Sequence, residues 1–384
     1  SRGLGDVYKR QVSSLRRSGP ILVLQNIIRN LAVPREDLFV VKLLNDESQR
    51  SITHEFIADG VTVIEMNFTK LYVELHPIKC AELLGKTIKN INPDIIHVHG
   101  YQGALVASKL KHTIPLTITL HNVPQEDFIY SKGKLMGHYM LWRFKKALKK
   151  FTSAVAISET VRNAHYKLLG SALPIEMIYN GVSLPAFDRH GADLLKRKYK
   201  INENDKVFVV VGHLSMLKDP LCIIKAFKHA FKSNKDVKLF FLGTGALLNE
   251  CIKETGEDRR IFFVGYTPDV AIYLGIAEYM ISASHSEGFG LNVVESLSLG
   301  TPVIMTDIEV FDEFRALYPA LKSLTFKCGD FGSLSEIFTK VYEMDKLAFD
   351  DVKNDVNIRF SSHEMGEKYL NHYQRLISVD TYGK

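Results

Sequence analysis

Short apolar runs and stretches of helical period alternate along nearly the whole chain. Runs at 39–44, 61–66, 94–98, 116–120, 154–157 and 175–179 read as buried strands. The second half repeats the scheme at 207–211, 238–242, 261–264, 279–281, 302–305 and 323–326. Between them, stretches such as 15–31 and 291–299 place apolar residues at helical spacing. Strand and helix in alternation predict parallel sheets covered on both faces. The expected fold class is therefore α/β, with two doubly wound Rossmann-like domains at 12–184 and 185–360. Loop-like residues at 183–205, including Pro185 and Gly191, separate the halves.

The first eleven residues break the pattern. SRGLGDVYKRQ has no apolar periodicity, no signal-peptide core and no strand pattern, so 1–11 is expected to be a non-native leader. An apolar strand is expected before the helix at 15–31, and none is visible. The N-terminal domain is therefore expected to be truncated at its first strand.

Length and composition change this picture little. At 384 residues the chain is too long for one core and suits two or three domains. Its 46% hydrophobic and 24% charged residues are those of a soluble globular protein. No apolar run approaches the ~18–20 residues of a membrane helix. Cys80, Cys222, Cys251 and Cys328 are far apart and lack a C-x-x-C spacing, which suits reduced thiols in the cytoplasm.

Charge is more informative. Residues 1–184 carry a net +9 and residues 185–384 a net −3. The excess gathers in 131–150, SKGKLMGHYMLWRFKKALKK, which has no acidic residue. Leu135, Tyr139, Leu141 and Trp142 interleave with its lysines, as on a helix lying at an anionic membrane surface. An ordinary helix covering a sheet, with its lysines in water, is the alternative. Nucleic acid is not an expected partner, because no aromatic-basic platform or reading helix accompanies the patch.

The chemistry concentrates in SHSEGFGLNVVESLSLGTPVI, residues 284–304. A strand ends at 281, Gly288 and Gly290 turn the chain, and a helix begins near Leu291 and stops at Gly300 and Pro302. Glycines let backbone approach a ligand closely, and a helix start aims amides and a positive dipole end at an anion. Glu287 precedes the turn and Glu295 lies one helical turn in. A carboxylate would oppose a bare phosphate, so Glu295 suits a ribose diol and Glu287 the hydroxyls of a second group. A tight turn flanked by two surface glutamates is the plainer alternative.

Other candidates lie at strand ends, where open α/β sheets bind ligands. Lys218 precedes a helix beginning near Pro220 and could neutralise a diphosphate without metal. Gly243-Thr244-Gly245 could pass close to a nucleotide, but Leu248 stands where a third Rossmann glycine belongs. His97, His99 and His121 also end strands. No Asp-x-Asp occurs and no zinc-ligand spacing is evident, so no metal is expected.

In order, SGPILVLQNIIRNL, DIIHVHG, TLHNVPQEDF, VAISETV, IYNGVSL, VGHLSMLKDPLCIIKAF, FLGTGALL, FVGYTPDV and SEGFGLNVVESLSLGTPVI resemble retaining family-4 glycosyltransferases of the GT-B fold, with their Glu-x7-Glu signature. The SGP variant of the first glycine loop is similar to members that build capsular or lipopolysaccharide oligosaccharides. The resemblance implies that Glu287 holds donor-sugar hydroxyls and Glu295 the ribose. Backbone amides of Gly288, Phe289, Gly290 and Leu291 would meet the sugar and diphosphate. Lys218 would stabilise the leaving diphosphate, Gly19 would approach it from the other domain, and His121 would lie beside donor sugar and acceptor. The family usually pairs Lys218 with an arginine where this chain has His213, largely neutral at pH 7, so one fixed positive charge is lost. A last helix within 361–384 would cross back to the N-terminal domain.

The activity implied is transfer of a sugar, with retention, from a nucleotide-diphosphate sugar to a glycan or polyprenyl-linked acceptor. A UDP-sugar donor and no cofactor or metal are expected, at the inner face of the cell membrane. A nucleotide-sugar epimerase, a sugar phosphorylase and a non-catalytic binding module remain as alternatives on the same scaffold.

Overall fold

Each apolar run forms a strand, most of them buried on both faces, while Thr62–Phe68 is largely open to solvent. The computed structural model describes residues 8–12, 14–45, 51–183, 187–344 and 349–382. The chain divides into two units, one formed by Ser1–Gly181 with Ser361–Lys384 and the other by Val182–Phe360.

The first unit holds a seven-stranded sheet in the order β3-β2-β1-β4-β5-β6-β7. These strands are β1 (Tyr8–Val12), β2 (Leu38–Leu44), β3 (Thr62–Phe68), β4 (Ile95–His99), β5 (Leu116–Leu120), β6 (Ser153–Ala156) and β7 (Ile175–Met177). All neighbours pair in parallel. The second unit holds a six-stranded parallel sheet in the order β10-β9-β8-β11-β12-β13. Its strands are β8 (Lys206–Val211), β9 (Val237–Leu242), β10 (Ile261–Gly265), β11 (Tyr279–Ser282), β12 (Val303–Thr306) and β13 (Thr325–Phe326). Both strand orders reverse direction beside the first strand of the sheet, which is the doubly wound topology.

Four expectations are corrected here. Residues 1–7 lie outside the described residues, but the rest of the stretch read as a strandless leader joins Val12 in β1, an interior strand third of seven in the first sheet, so a strand does precede the first helix. Tyr8 to Val12 register with Leu38 to Lys42 on one side and with Ile95 to His99 on the other. The polar sequence YKRQV concealed this, because the ladder is made by backbone groups between two strongly apolar neighbours. The helix expected from residue 15 begins at Gly19 and ends at Asn30, with Pro20 in its first turn. Within the stretch read as a loop, Arg189–Lys198 is a helix. Its Lys196-Arg197-Lys198 end suits the negative helix terminus, a signal that the loop-like composition masked.

The last helix, Ser362–Tyr382, belongs to the first unit and roofs its sheet. Tyr373 Oη lies 2.6 Å from His97 Nδ1, and Tyr369 Oη lies 2.9 Å from Thr119 Oγ1. His372 Nε2 reaches Thr117 Oγ1 at 3.1 Å, while its Nδ1 reaches Glu176 Oε2 at 2.7 Å. Apart from Glu176, which is partly exposed, these polar groups are buried, so each of their bonds replaces water that folding removed. Gly366 lets this helix touch the end of the first helix, because a Cβ there would strike the Asn30 carbonyl. Gly366→Ala should therefore destabilise the first unit by about 1–3 kcal/mol. Urea unfolding would show an early transition for that unit, with the transition of Val182–Phe360 unmoved.

Candidate functional site

Parallel strands bring the C-terminal ends of β8 and β11 side by side, and the loops that follow them carry the expected site residues of the second unit. After β8 the chain turns at Gly212, passes exposed His213 and reaches Lys218 and Asp219. Asp219 adopts a left-handed backbone at φ 41°, uncommon for a side-chain-bearing residue. Its carboxylate is held at both oxygens. Oδ1 accepts from the Cys222 amide at 3.2 Å, capping the helix Pro220–Ala230, and Oδ2 lies 3.0 Å from His285 Nε2. The His285 amide donates to the Leu217 carbonyl at 2.8 Å, so the loop after β8 is tied to the loop after β11.

This tie sets the central pair, in which Lys218 Nζ is bonded to Glu287 Oε1. Ser284 Oγ donates to the same carboxylate oxygen at 2.9 Å. Both charged side chains are mostly but not wholly buried, at 27% and 14% exposure, so a polar ligand can still reach them. Three residues on, Gly290 at φ +95° precedes the helix Leu291–Ser298 without capping it. A glycine has no side-chain oxygen to offer the first amides, which leaves that end open to an anion. A Cβ at Gly290 would also press on Phe311 at 2.9 Å. Phe289 turns its ring into the core against Phe314 and Phe360, leaving backbone to line the turn beside Gly288.

Glu295 sits one turn into that helix and keeps only part of its surface open. Burial pushes its carboxyl up to about 7. The structure thus brings Lys218, Glu287, Gly288, Phe289, Gly290, Leu291 and Glu295 into one unit around the ends of two neighbouring strands. His213 stands at the mouth of a narrow crevice lined also by Gly212, Lys218, Ser284 and Asn292. A roomier hollow of about 520 Å³ between Ile252 and Phe263 holds none of the expected residues.

Sequence reasoning missed two supports. Asn292 Nδ2 donates to the Val211 carbonyl at 3.0 Å, pinning the site helix to the end of β8. The Asp219–His285 bond is the other; His285 lies in the motif, but only the fold reveals its partner. The Gly243-Thr244-Gly245 turn has a packing role that its sequence did not show. A Cβ at Gly243 would strike the Gly212 carbonyl, and one at Gly245 the Leu214 carbonyl. These glycines are spent on packing backbone against the loop that leads to Lys218.

Two expected residues belong to the first unit. Gly19 opens the first helix just beyond the end of β1. His121 follows the last residue of β5, and its Nε2 lies 2.9 Å from His99 Nδ1. Burial pushes the His121 imidazole down to about 3, so the ring is neutral at ordinary pH. Among the described residues, no group of three or more His, Cys, Asp or Glu could hold a metal ion.

Residues 24–185 match the family described as Glycosyltransferase Family 4, and residues 192–350 match Glycosyl transferases group 1. The chain is 26% identical to the O-antigen biosynthesis glycosyltransferase WclY of Escherichia coli, over 95% of this chain and 97% of that one. It is 25% identical to an Escherichia coli UDP-Gal:alpha-D-GlcNAc-diphosphoundecaprenol alpha-1,3-galactosyltransferase, over 59% of this chain and 60% of the relative. Among solved structures it is similar to Anabaena HepE in complex with UDP and glucose, with a TM-score of 0.78 and 17% identity. That match covers 96% of this chain and 100% of the other. With a family-4 domain followed by a group-1 domain on two doubly wound sheets, the chain belongs to the family-4 glycosyltransferases of the GT-B class.

Proposed function

We propose that this glycosyltransferase moves a hexosyl group, with retention, from a UDP-sugar to a glycan or polyprenyl-linked glycan in cell-surface polysaccharide biosynthesis. The observation that carries the reading is the Lys218–Glu287 pair beside an uncapped helix start. It sets a cation, a carboxylate that accepts from hydroxyls and a cluster of amides side by side on two neighbouring loops. That combination suits a sugar diphosphate and little else. The relatives named for O-antigen synthesis and for transfer to a diphosphoundecaprenol acceptor support the pathway and the acceptor class.

In this mechanism Lys218 and the amides at Gly290 and Leu291 hold the diphosphate and stabilise its charge as it leaves. Glu287 accepts hydroxyls of the donor sugar and holds the reacting carbon in place. The bond from that carbon to the diphosphate oxygen breaks as the acceptor oxygen bonds on the same face. The acceptor proton passes to the departing diphosphate. His121, neutral through burial, serves as a hydrogen-bond partner for sugar hydroxyls rather than as a charge. Charge neutralisation by Lys218 and the helix end lets the reaction run without a resident cofactor. His213 in place of a second cation leaves the diphosphate one fixed positive charge fewer.

Membrane contact has its own support in the first unit. The basic helix Lys134–Leu148 exposes Leu135 at 93% and Trp142 at 53%, and the neighbouring segment exposes Leu71 at 68%, Leu75 at 64% and Ile78 at 59%. Arg143 bonds Glu74 at 2.7 Å and ties the two segments together. Lysines beside an exposed apolar row fit an anionic lipid surface, where a polyprenyl-linked acceptor is presented. No described helix is long and apolar enough to cross a membrane.

Five outcomes test these assignments. Glu287→Gln should lower transfer at least about 100-fold while nucleotide affinity, measured by calorimetry, stays within about threefold. Equal loss of both would reject the role given to Glu287. Thermal-shift screening against UDP, GDP, ADP and NAD should select UDP. Because Glu295 must be ionised to accept two ribose hydroxyls, affinity for UDP should fall roughly tenfold from pH 8 to pH 6. The folded-state value near 7 is raised, so ionising Glu295 costs stability as pH rises through it. Glu295→Gln should accordingly melt higher at pH 8, not at pH 5, and show a flat pH profile for UDP. Leu135→Glu with Trp142→Ala should abolish cosedimentation with phosphatidylglycerol vesicles and leave transfer to a soluble acceptor intact.

A further inference from the structure

His121 does not stand alone at the end of β5. Its Nε2 lies 2.9 Å from Nδ1 of His99, the last residue of β4, and the two rings stack with centroids 5.2 Å apart. The ring of His99 in turn rests on that of His97 at 4.3 Å. His97 is locked, because its Nδ1 meets Tyr373 Oη at 2.6 Å and its Nε2 meets Thr119 Oγ1 at 2.8 Å. His97 and His99 are 1% and 2% exposed. A column of rings therefore runs from the last helix along one face of the sheet to His121.

We propose that His99 is a positioning residue, which fixes the ring orientation and the proton location of His121. This rests on the reading that His121 touches the donor sugar or the acceptor. A bond between two ring nitrogens needs one N–H and one lone pair. Neutral His121 has a single N–H, so whichever way the bond is polarised, its Nε2 is consumed and Nδ1 is left for a ligand. The state of Nε2 dictates whether Nδ1 donates or accepts. Without His99 the ring could turn over and exchange tautomers, presenting the wrong group to a sugar hydroxyl part of the time.

Two substitutions separate positioning from packing. His99→Phe keeps a flat ring on His97 but removes the nitrogen. His99→Asn puts an amide where Nδ1 was. Nitrogen-15 spectra of histidine-labelled protein, with His121 assigned through His121→Ala, should show one His121 tautomer in the wild type and in His99→Asn. They should show a mixture in His99→Phe. Transfer kcat should fall about 10- to 100-fold in His99→Phe, with donor KM within about threefold, and recover in His99→Asn to within about fivefold. An unchanged His121 tautomer in His99→Phe would overturn the inference. So would equal loss of kcat in both variants with equal loss of thermal stability. Wild-type transfer in His121→Ala would instead reject the role of His121 in the reaction; the tautomer result decides the His99 inference independently.

Discussion

Every strand in both sheets runs the same way as its neighbours, and that constraint organises the chemistry. Parallel ladders gather all C-terminal strand ends on one edge of each sheet. Loops 69 residues apart in sequence, ending in Lys218 and Glu287, are thereby brought into contact without any strand changing direction. Loop-to-loop bonds then supply precision that the sheet cannot. The Leu217 carbonyl takes the His285 amide, Asp219 holds His285, and Asn292 holds the end of β8.

The site is built at some cost to the fold. Asp219 occupies a backbone region that side chains disfavour, and Glu295 carries a carboxyl whose ionisation burial opposes. Asp219 ties the loop after β8 to the loop after β11, and Glu295 sets a carboxyl one turn into the site helix. Glycines, by contrast, serve packing as often as ligands. Gly243 and Gly245 let two loops touch backbone to backbone, and Gly290 frees a helix start.

Much of this was legible from residue pattern. Twelve of the strands follow from apolar runs, because strands of a sheet covered on both faces are written mostly in Val, Ile, Leu and Phe. The Glu287–Glu295 stretch announced a turn and a helix start through its glycines, and the structure has both. β1 was invisible because YKRQV lacks the apolar signature, while its place depends on the backbone ladders of β2 and β4. The Asp219–His285 and Asn292–Val211 bonds were equally hidden. They join residues 66 and 81 apart, and no local spacing encodes them.

The order of the units along the chain has a consequence for synthesis. The first unit is interrupted by all of Val182–Phe360, and its roof arrives only with the last residues. At about 5–20 residues per second, translation of the intervening segment leaves the first sheet waiting roughly 10–40 s for its final helix. During that interval His97, Thr119 and Thr117 lack their tyrosine and histidine partners. The nascent chain thus carries an unroofed polar seam, whose hydroxyls and imidazoles are left to water until that helix is made.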